Sequence, residues 1–324
     1  MQKTSEVYKN LYHYTTWEGV LGILRSRSLW ATHYKFLNDY SEIKLFRDRL
    51  VRLVLPYVRE EYDGLIKRSP HVWCKIDEEG GLDQAVQHDT EAFVDAQYHA
   101  TGDEIYIVSF CGEHNNPHVN RNGLLSQWRA YGSGGGFALV FDTEKLEETL
   151  SLEVKNYEYG MIHLSDVVYS DDETKLQEEF SENLSSIADD VRQVFNTIIA
   201  PDKELVLKGF QPFAACISRY KHHGFCEENE VRIVALPTVV NKEIIELAGN
   251  DGVTLMPEKE RKFRAINGGL VPYIELFDSP DIELPIKRII VGPHKEKESR
   301  AAALRVMLRN MNIEIQSSDI PFAG

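Results

Sequence analysis

The stretch that most constrains the fold is residues 220–234, where a polar, loop-like run gives way to a β-branched one. At the junction stand Glu228, Glu230 and Arg232, spaced two residues apart. Side chains two apart on a strand share a face. We therefore expect these three in a row, about 7 Å per step, with the residues between them in a core. Carboxylates held that close repel, which raises the pKa of one unless Arg232 or a ligand relieves the repulsion. The row indicates a functional site; the alternative is a solvated strand start with an ordinary Glu–Arg pair.

A second polar motif lies near the start of the chain. Residues 11–15 favour a short strand, followed by a helical pattern and by a second strand over residues 29–32. Thr15 and Glu18 fit a Thr-x-x-Glu capping box at the start of that helix. His13 would then leave the first strand beside a helix N-terminus, whose free amide groups and positive dipole end suit a phosphate.

A long helical pattern begins near Tyr40 and is expected to end near Pro56, because proline cannot continue the hydrogen-bond ladder. Asp39 and Glu42 are typical of the N-terminal cap and first turn of such a helix. The role of Asn38, which precedes them, stays open.

The remaining pattern alternates between strands and helices, with no repeat or linker. Further strands are predicted over residues 104–111, 137–141, 152–159, 163–169, 261–266, 270–277, 286–291 and 313–316. Further helices are predicted around residues 91–100, 176–198, 204–220 and 299–311. This pattern indicates an α+β fold with a curved mixed or antiparallel sheet around a cleft. We expect one domain, residues 1–324, with a polar or helical insertion around 57–103 and a helical one around 172–220.

Composition is that of a globular protein, with 43% hydrophobic and 27% charged residues. No run approaches the roughly 18 apolar residues that span a bilayer. The start of the chain lacks the apolar segment of a signal peptide. We therefore expect a cytoplasmic protein with reduced cysteines and no membrane partner. A formal net charge of −15 argues against a broad nucleic-acid-binding surface.

A glycine-rich segment, residues 132–136, precedes a predicted strand instead of following one. Phosphate-binding loops run in the order strand, glycines, helix, so the Rossmann and P-loop classes are excluded. The glycines instead favour a tight turn or a close backbone approach.

Four local patterns occur together: Tyr12-His-Tyr-Thr15, Asn38-Asp-x-x-Glu42, Ser126-Gln-Trp-Arg-Ala-Tyr-Gly132 and Phe225-x-x-Glu228-x-Glu230-x-Arg232. In this combination the chain resembles an uncharacterised bacterial family whose members carry the same motifs. The resemblance covers most of the chain, but the family implies no chemistry.

A weaker resemblance does imply a chemistry. A His-x-Thr that leaves a first strand into a helix, with Glu-x-Glu on a late strand, is similar to ADP-ribosyltransferases, including DNA- and tRNA-directed bacterial ones. The resemblance implies an ADP-ribosyltransferase-like sheet around an NAD-binding cleft. It also implies transfer of ADP-ribose to a macromolecular acceptor, protein or nucleic acid, as in toxins or phage-defence effectors. NAD is the expected cofactor, and no metal is expected.

The same resemblance implies the catalytic groups. Glu230 would be the essential carboxylate, Glu228 the group nearest the acceptor, and His13 would contact the ribose of NAD. These residue types suit the reaction, because cleaving the nicotinamide–ribose bond develops positive charge that a fixed carboxylate stabilises. A second carboxylate with a raised pKa can take the proton of the acceptor.

The resemblance also implies a set of cofactor-binding residues: His13, Tyr14, Thr15, Ser126, Trp128, Arg129, Tyr131 and Arg232. Trp128 or Tyr131 would face the nicotinamide from a middle strand. Arg129 or Arg232 would hold the pyrophosphate through paired hydrogen bonds. The nicotinamide end is expected between this central motif and Glu230, away from the glycine-rich segment.

Two other classes remain open. A metal-dependent hydrolase or nuclease is one, because two groups are spaced like metal ligands: Cys111, His114 and His118, and His222, His223 and Cys226 with Glu227 adjacent. Neither group matches a standard zinc pattern. A non-catalytic binding module of the same fold is the other, and it would carry the acidic row on an open face instead of in a deep pocket.

Overall fold

The computed structural model describes residues 3–37, 40–78, 80–101, 104–131, 136–199, 211–240, 245, 254–266 and 268–321. The chain forms two compact units. The first consists of Met1–Phe36, Tyr106–Val167 and Cys226–Gly324, and the second of Leu37–Ile105 and Val168–Phe225. Both stretches predicted as insertions fall within the second unit, which starts earlier in the chain than expected, at Leu37.

The strands, all in the first unit, are β1 (Asn10–Thr15), β2 (Leu29–His33), β3 (Tyr106–Gly112), β4 (Phe137–Asp142), β5 (Tyr159–Asp166), β6 (Glu230–Pro237), β7 (Lys262–Ile266), β8 (Gly269–Leu276), β9 (Ile286–Val291) and β10 (Glu314–Ser317). The helices are α1 (Thr4–Val7), α2 (Trp17–Ser26), α3 (Tyr40–Arg68), α4 (Trp73–Glu78), α5 (Leu82–Thr101), α6 (Pro117–Asn122), α7 (Leu125–Tyr131), α8 (Thr143–Asn156), α9 (Glu173–Glu179), α10 (Ser181–Ile199), α11 (Gln211–Arg219) and α12 (Lys297–Met307). Helices α3–α5 and α9–α11 belong to the second unit. Within the described ranges, no helix is long and apolar enough to cross a membrane.

The strands form one open, mostly antiparallel sheet with a branch at β3. The main path runs β10-β9-β4-β1-β3-β2-β8-β7, while β6 pairs with β3 and β5 pairs with β6. β6 runs along one edge of β3 over Tyr106–Cys111. The opposite edge is shared, because β1 pairs there through Cys111 and Gly112 and β2 through Tyr106 and Ile107. The branch that begins with β1 and the branch that begins with β2 therefore move apart beside residues 108–110 of β3. We call this place the sheet split.

Two buried faces hold this sheet together. Alternate residues of the central strands, such as Leu11, Phe110 and Val231, point into a large core that α2, α8 and α12 cover. The residues between them on β1 and β3, such as Tyr12 and Cys111, point into a smaller cluster on the other face. Burial of each large apolar side chain contributes about 1.5–3 kcal/mol, so strands covered on both faces are firmly anchored.

The helix between β1 and β2 packs closely against the second of these strands. A Cβ atom added at Gly22 of α2 would stand 2.3 Å from Cη2 of the Trp30 ring, a contact that a rigid indole cannot avoid. By comparison, a Cβ atom at Gly64 of α3 would meet only the end of the Arg68 side chain, at 3.5 Å. The glycine at position 22 is therefore required by close approach, whereas that at position 64 is not.

Gly22→Ala is expected to destabilise the protein by about 1–3 kcal/mol, because overpacking outweighs the roughly 1 kcal/mol that alanine gains in a helix. Gly64→Ala is the matched control and should be neutral or stabilising. Urea denaturation of both variants checks the expectation. A stabilised Gly22→Ala variant would show that the α2–β2 packing described above is wrong.

The expected end of the first long helix is wrong. α3 continues through Pro56 to Arg68. Buried side chains on both sides of the proline, including Val54 and Val58, belong to the face that packs against α5 and α10 within the second unit. Burial of this face outweighs the roughly 3 kcal/mol that an interior proline costs.

The strand predicted over residues 152–159 is also wrong, because α8 extends to Asn156. Leu146, Leu150 and Glu153 are buried at helical spacing, and the Asp142 carboxylate accepts from the Lys145 backbone N–H to cap the helix. The next strand, β5, consequently begins at Tyr159 instead of residue 163.

Most of the other predicted elements are confirmed. The ends of the remaining predicted strands differ by no more than two residues from those of β1–β4 and β7–β10. Four helices differ more in extent. α5 starts at Leu82, the pattern over 176–198 is interrupted at Phe180, α11 is described from Gln211, and α12 spans Lys297–Met307. The part of the predicted helix over 204–210 lies outside the described residues. All four cysteines are free thiols, as expected.

Candidate functional site

His13 lies at the sheet split. Beyond the paired residues Tyr12 and Cys111, β1 leaves β3, and the imidazole Nδ1 of His13 stands 2.9 Å from the Ser109 backbone oxygen. The ring also contacts Phe110, with 5.7 Å between centroids. The Ser109 oxygen can only accept, so Nδ1 carries the hydrogen and Nε2 is left without a hydrogen bond to a described residue.

The charge state of His13 follows from its surroundings. Burial lowers the pKa of the imidazole; the Ser109 carbonyl raises it, and the positive charge of Arg264 lowers it further. Because burial is the largest cause, the ring is neutral at pH 7. A neutral ring with hydrogen on Nδ1 offers Nε2 as an acceptor for a ligand hydroxyl group.

Arg264 of β7 stands on the other branch of the split. Its Nη2 donates to Thr32 Oγ1 at 2.8 Å, and its guanidinium carbon lies 5.3 Å from the Trp30 ring and 5.5 Å from the Tyr273 ring. The buried Nε atom has no hydrogen-bond partner. Burial lowers the pKa of Arg264, and no carboxylate is among the described contacts of this guanidinium.

Strand alternation places Arg264, Trp30, Thr32 and Tyr273 on one face of the sheet, which is the face of Glu230 and not that of His13. Trp30 and Thr32 are two residues apart on β2, and Tyr273 of β8 lies directly opposite Thr32. Lys262 of β7 lies opposite Tyr273, so Arg264, two residues further on, shares the same face. Sequence reasoning missed this cluster. The available signal was the Lys-x-Arg alternation in a strand predicted beside an aromatic one.

Glu230 and Arg232 form a buried ion pair on β6. Arg232 Nε donates to Glu230 Oε1 at 2.7 Å and Nη2 donates to Oε2 at 3.2 Å, which is a fork geometry. The side chains are only 4% and 3% exposed, so the pair is not the solvated strand start considered as the alternative. In register, Glu230 lies opposite Cys111 and Arg232 opposite Ser109.

The expected row of three residues is wrong for Glu228. That residue is half-buried at the end of a 3₁₀ helix, His223–Glu228, and the strand begins only at Glu230. Between them Asn229 has φ +44°, in the left-handed region, which interrupts the two-residue alternation. Glu228 and Glu230 therefore do not share a strand face, and Arg232 is the partner that Glu230 contacts.

The strands of His13 and Glu230 belong to one sheet, as expected, but their side chains do not share a face. β1 and β6 flank β3, so the two residues stand about 10 Å apart, or two strand spacings. Cys111 lies opposite Tyr12 on one side and opposite Glu230 on the other, so these three residues share one face. His13 lies opposite Leu139 of β4, which points into the large core on the other face.

The central motif forms helix α7 instead of the middle strand that the resemblance implied. Trp128 is 5% exposed, its indole N–H donates to the Asn122 backbone oxygen at 3.0 Å, and its ring packs edge-on against Tyr14. The Tyr14 hydroxyl in turn accepts from the Leu124 backbone N–H at 2.7 Å. Trp128 and Tyr14 thus have packing roles in the smaller cluster.

The remaining residues of this motif are more accessible. Arg129 is exposed and Tyr131 is 39% exposed. Ser126 is partly exposed, yet its hydroxyl oxygen is buried without a hydrogen-bond partner. The segment 132–135, which follows them, lies outside the described residues.

The start of α2 differs from the expected capping box. The helix begins at Trp17, and its N-cap is Thr16, whose hydroxyl accepts from the Gly19 backbone N–H at 3.3 Å. Thr15 is instead the last residue of β1, and its hydroxyl oxygen would be 2.0 Å from a Cβ atom at Gly19. Thr15 therefore packs under the first turn of the helix that leads away from the split.

The two metal-like spacings do not form a metal site in the part of the chain that is described, where no group of three His, Cys, Asp or Glu residues could hold an ion. His118 lies in α6 with a ring nitrogen 3.2 Å from the Asn122 side-chain nitrogen. Burial lowers the pKa of His114, whose Nε2 is buried without a partner. Asn38 and Asp39 lie outside the described residues, as does the side chain of Glu42.

Residues 127–233 match the model of a family described as a protein of unknown function, DUF2971. The match covers about a third of the 324-residue chain, from the central motif through Arg232. Over this span it confirms the resemblance to an uncharacterised family that the motifs indicated. No curated protein and no solved structure matches the chain.

Proposed function

We propose that this protein binds NAD at the sheet split and transfers ADP-ribose to a macromolecular acceptor, as an ADP-ribosyltransferase-like enzyme. The observation that carries the proposal is the state of His13. Its Nδ1 is held by the Ser109 backbone oxygen, while Nε2 makes no hydrogen bond to a described residue. A neutral imidazole fixed in this tautomer is suited to accept a hydrogen bond from a ribose hydroxyl group.

The branched sheet supports the proposal from the backbone. β1 enters the split, α2 crosses over, and β2 returns to the same edge of β3. The resemblance to ADP-ribosyltransferases implies a curved sheet around an NAD-binding cleft, and in this proposal the sheet split is the entrance to that cleft. Arg129 and Tyr131 are the accessible residues of the central motif that would complete the cofactor site.

Glu230 is the catalytic carboxylate in this proposal. Two hydrogen bonds from Arg232 hold it in a fixed position, and fixed charges stabilise a developing sugar cation better than mobile ones do. Its side chain is only 4% exposed and lies on the face opposite His13. Because His13 and Glu230 lie on opposite faces, the reaction requires the ribose to reach through the sheet split and a local opening on the Glu230 face.

His13→Asn is expected to weaken NAD binding by about 3- to 10-fold, because one neutral hydrogen bond to the ribose is lost. His88→Asn, at an exposed position of α5, is the matched control and should bind NAD like the wild type. Isothermal titration calorimetry with the full chain measures both. Absence of any NAD binding by the wild type at millimolar concentration would remove the proposal.

A second candidate function is a non-catalytic binding module of the same fold. The burial of the Glu230–Arg232 pair favours it, since a fully paired and covered carboxylate is a common structural feature. The two candidates differ in turnover. NAD binding without release of nicotinamide in a prolonged incubation supports the module, whereas nicotinamide release that Glu230→Gln abolishes supports the enzyme.

A further inference from the structure

Arg264 carries a guanidinium that the described structure leaves without a negative partner. Its hydrogen bond goes to a neutral hydroxyl, Thr32 Oγ1, and its buried Nε has no acceptor. By contrast, Arg232 of the same unit holds the carboxylate of Glu230 through two hydrogen bonds. A partly buried cation with an unused donor is unfavourable until an anion satisfies it.

The acidic side chain on the neighbouring strand does not serve this purpose. Glu275 of β8 lies opposite Trp30 in register, but its carboxylate accepts from Lys262 Nζ at 2.7 Å. That hydrogen bond is the largest cause of the raised pKa of Lys262, so Lys262 and Glu275 neutralise each other. Among the described residues, no carboxylate compensates the positive charge of Arg264 beside the split.

The guanidinium is held in place without using up its donors. The rings of Trp30 and Tyr273 lie 5.3 and 5.5 Å from its central carbon, within the range of cation–π contacts. Trp30 is itself fixed, because its indole N–H donates to Ser26 Oγ at 3.2 Å and its ring packs against Gly22. Aromatic contacts orient an arginine while leaving its N–H groups for oxygen atoms of a ligand.

We infer that Arg264 is an anchor for the phosphate oxygens of a nucleotide ligand at the sheet split. An arginine fork matches phosphate geometry through two parallel hydrogen bonds, and the charge of His13 is too weakly developed at pH 7 to replace it. For the identity of the ligand, the inference rests on the proposed function. The ligand is then NAD, and Arg264 binds its pyrophosphate. Arg264 then takes the role first expected of Arg129 or Arg232.

Calorimetric titration of the full chain with inorganic pyrophosphate and with ADP tests this site. Arg264→Gln is expected to weaken binding of both by about 10- to 100-fold, the effect of losing a charged, paired hydrogen bond. Arg264→Lys keeps the charge but not the fork, and should recover only part of the loss. Arg25→Gln removes an exposed arginine of α2, changes the net charge equally, and should bind like the wild type.

The outcomes separate this inference from the proposed function. Unchanged pyrophosphate and ADP binding in Arg264→Gln overturns the inference, as does an equal loss in Arg25→Gln or a wild type that binds neither anion. Pyrophosphate binding that depends on Arg264, in a protein that does not bind NAD, supports the inference and removes the proposed function. NAD binding that Arg264→Gln leaves intact supports the proposed function and overturns the inference. Near-ultraviolet circular dichroism of each variant shows that the comparison is between folded proteins.

Discussion

Glu153→Gln is expected to lower the free energy of unfolding by about 3–5 kcal/mol, the range for breaking a buried ion pair by removing one partner. Glu153 and Lys259 are 0% and 1% exposed, and 2.6 Å separates Lys259 Nζ from Glu153 Oε1. The same carboxylate accepts from the Tyr159 hydroxyl at 2.7 Å and from the Phe277 backbone N–H at 2.9 Å. A glutamine amide can satisfy only part of this arrangement, and it leaves the buried ammonium group of Lys259 with the carboxylate of Asp278, at 2.7 Å and 25% exposed, as its charged partner.

The position of this cluster explains why the loss is large. Glu153 belongs to α8 and Tyr159 to the next element, β5, whereas Phe277 lies in the turn after β8, so one carboxylate joins two neighbouring elements to a segment that is distant in sequence. Phe277 has φ +68°, an unfavourable conformation for a bulky residue, which its hydrogen bond to Glu153 helps to hold. Lys259 also lies 3.6 Å from the centroid of the Tyr157 ring.

Urea denaturation measures the effect, with Asp319→Asn as a control. Asp319 pairs with Arg121 at 3.8 Å, and both side chains are more than half exposed, so its loss should cost less than about 1 kcal/mol. The double variant Glu153→Met with Lys259→Met should cost less than the sum of the single ones, because no unpaired charge of that pair stays buried. Additive costs would show that the pair is not coupled.

The sheet could largely be predicted from sequence, because most of its strands are short buried runs with turns on either side. β3 and β4 are examples, and their burial leaves little choice of conformation. Prediction failed where surface residues imitate a core pattern. Leu152 and Val154 are 44% and 48% exposed in α8, yet as apolar residues two apart they indicated a strand.

The candidate site was less predictable, because it depends on contacts between distant segments. Arg264 and Thr32 are 232 residues apart in sequence and meet only through the pairing of β7, β8 and β2. The faces of His13 and Glu230 depend on register across three strands, which no local pattern contains. A single residue in the left-handed conformation, Asn229, separates Glu228 from the strand, which begins at Glu230.

Glu230→Gln is expected to reduce both ADP-ribosyl transfer and NAD hydrolysis by about 10²-fold or more per folded molecule, because a preorganised charge at the sugar cation is lost. The same variant should lose about 3–5 kcal/mol of stability, since the buried ion pair between Glu230 and Arg232 is broken. Activity must therefore be normalised to the folded fraction, which denaturation curves supply. Glu228→Gln removes a neighbouring carboxylate that is half-buried outside the strand, and it is compared with Glu230→Gln in the same assays.

The Glu228 variant also separates the two proposed roles. Nicotinamide release should persist in Glu228→Gln while transfer to the acceptor weakens, as expected of a base that acts on the incoming nucleophile. If Glu230→Gln is destabilised but keeps wild-type turnover per folded molecule, the Glu230–Arg232 pair serves packing, and the carboxylate of the reaction lies elsewhere. If the turnover of Arg232→Lys falls only in proportion to its folded fraction, the same conclusion follows. Turnover lost beyond the unfolded fraction in Glu230→Gln, with NAD affinity unchanged, places the effect on the reaction and not on the fold.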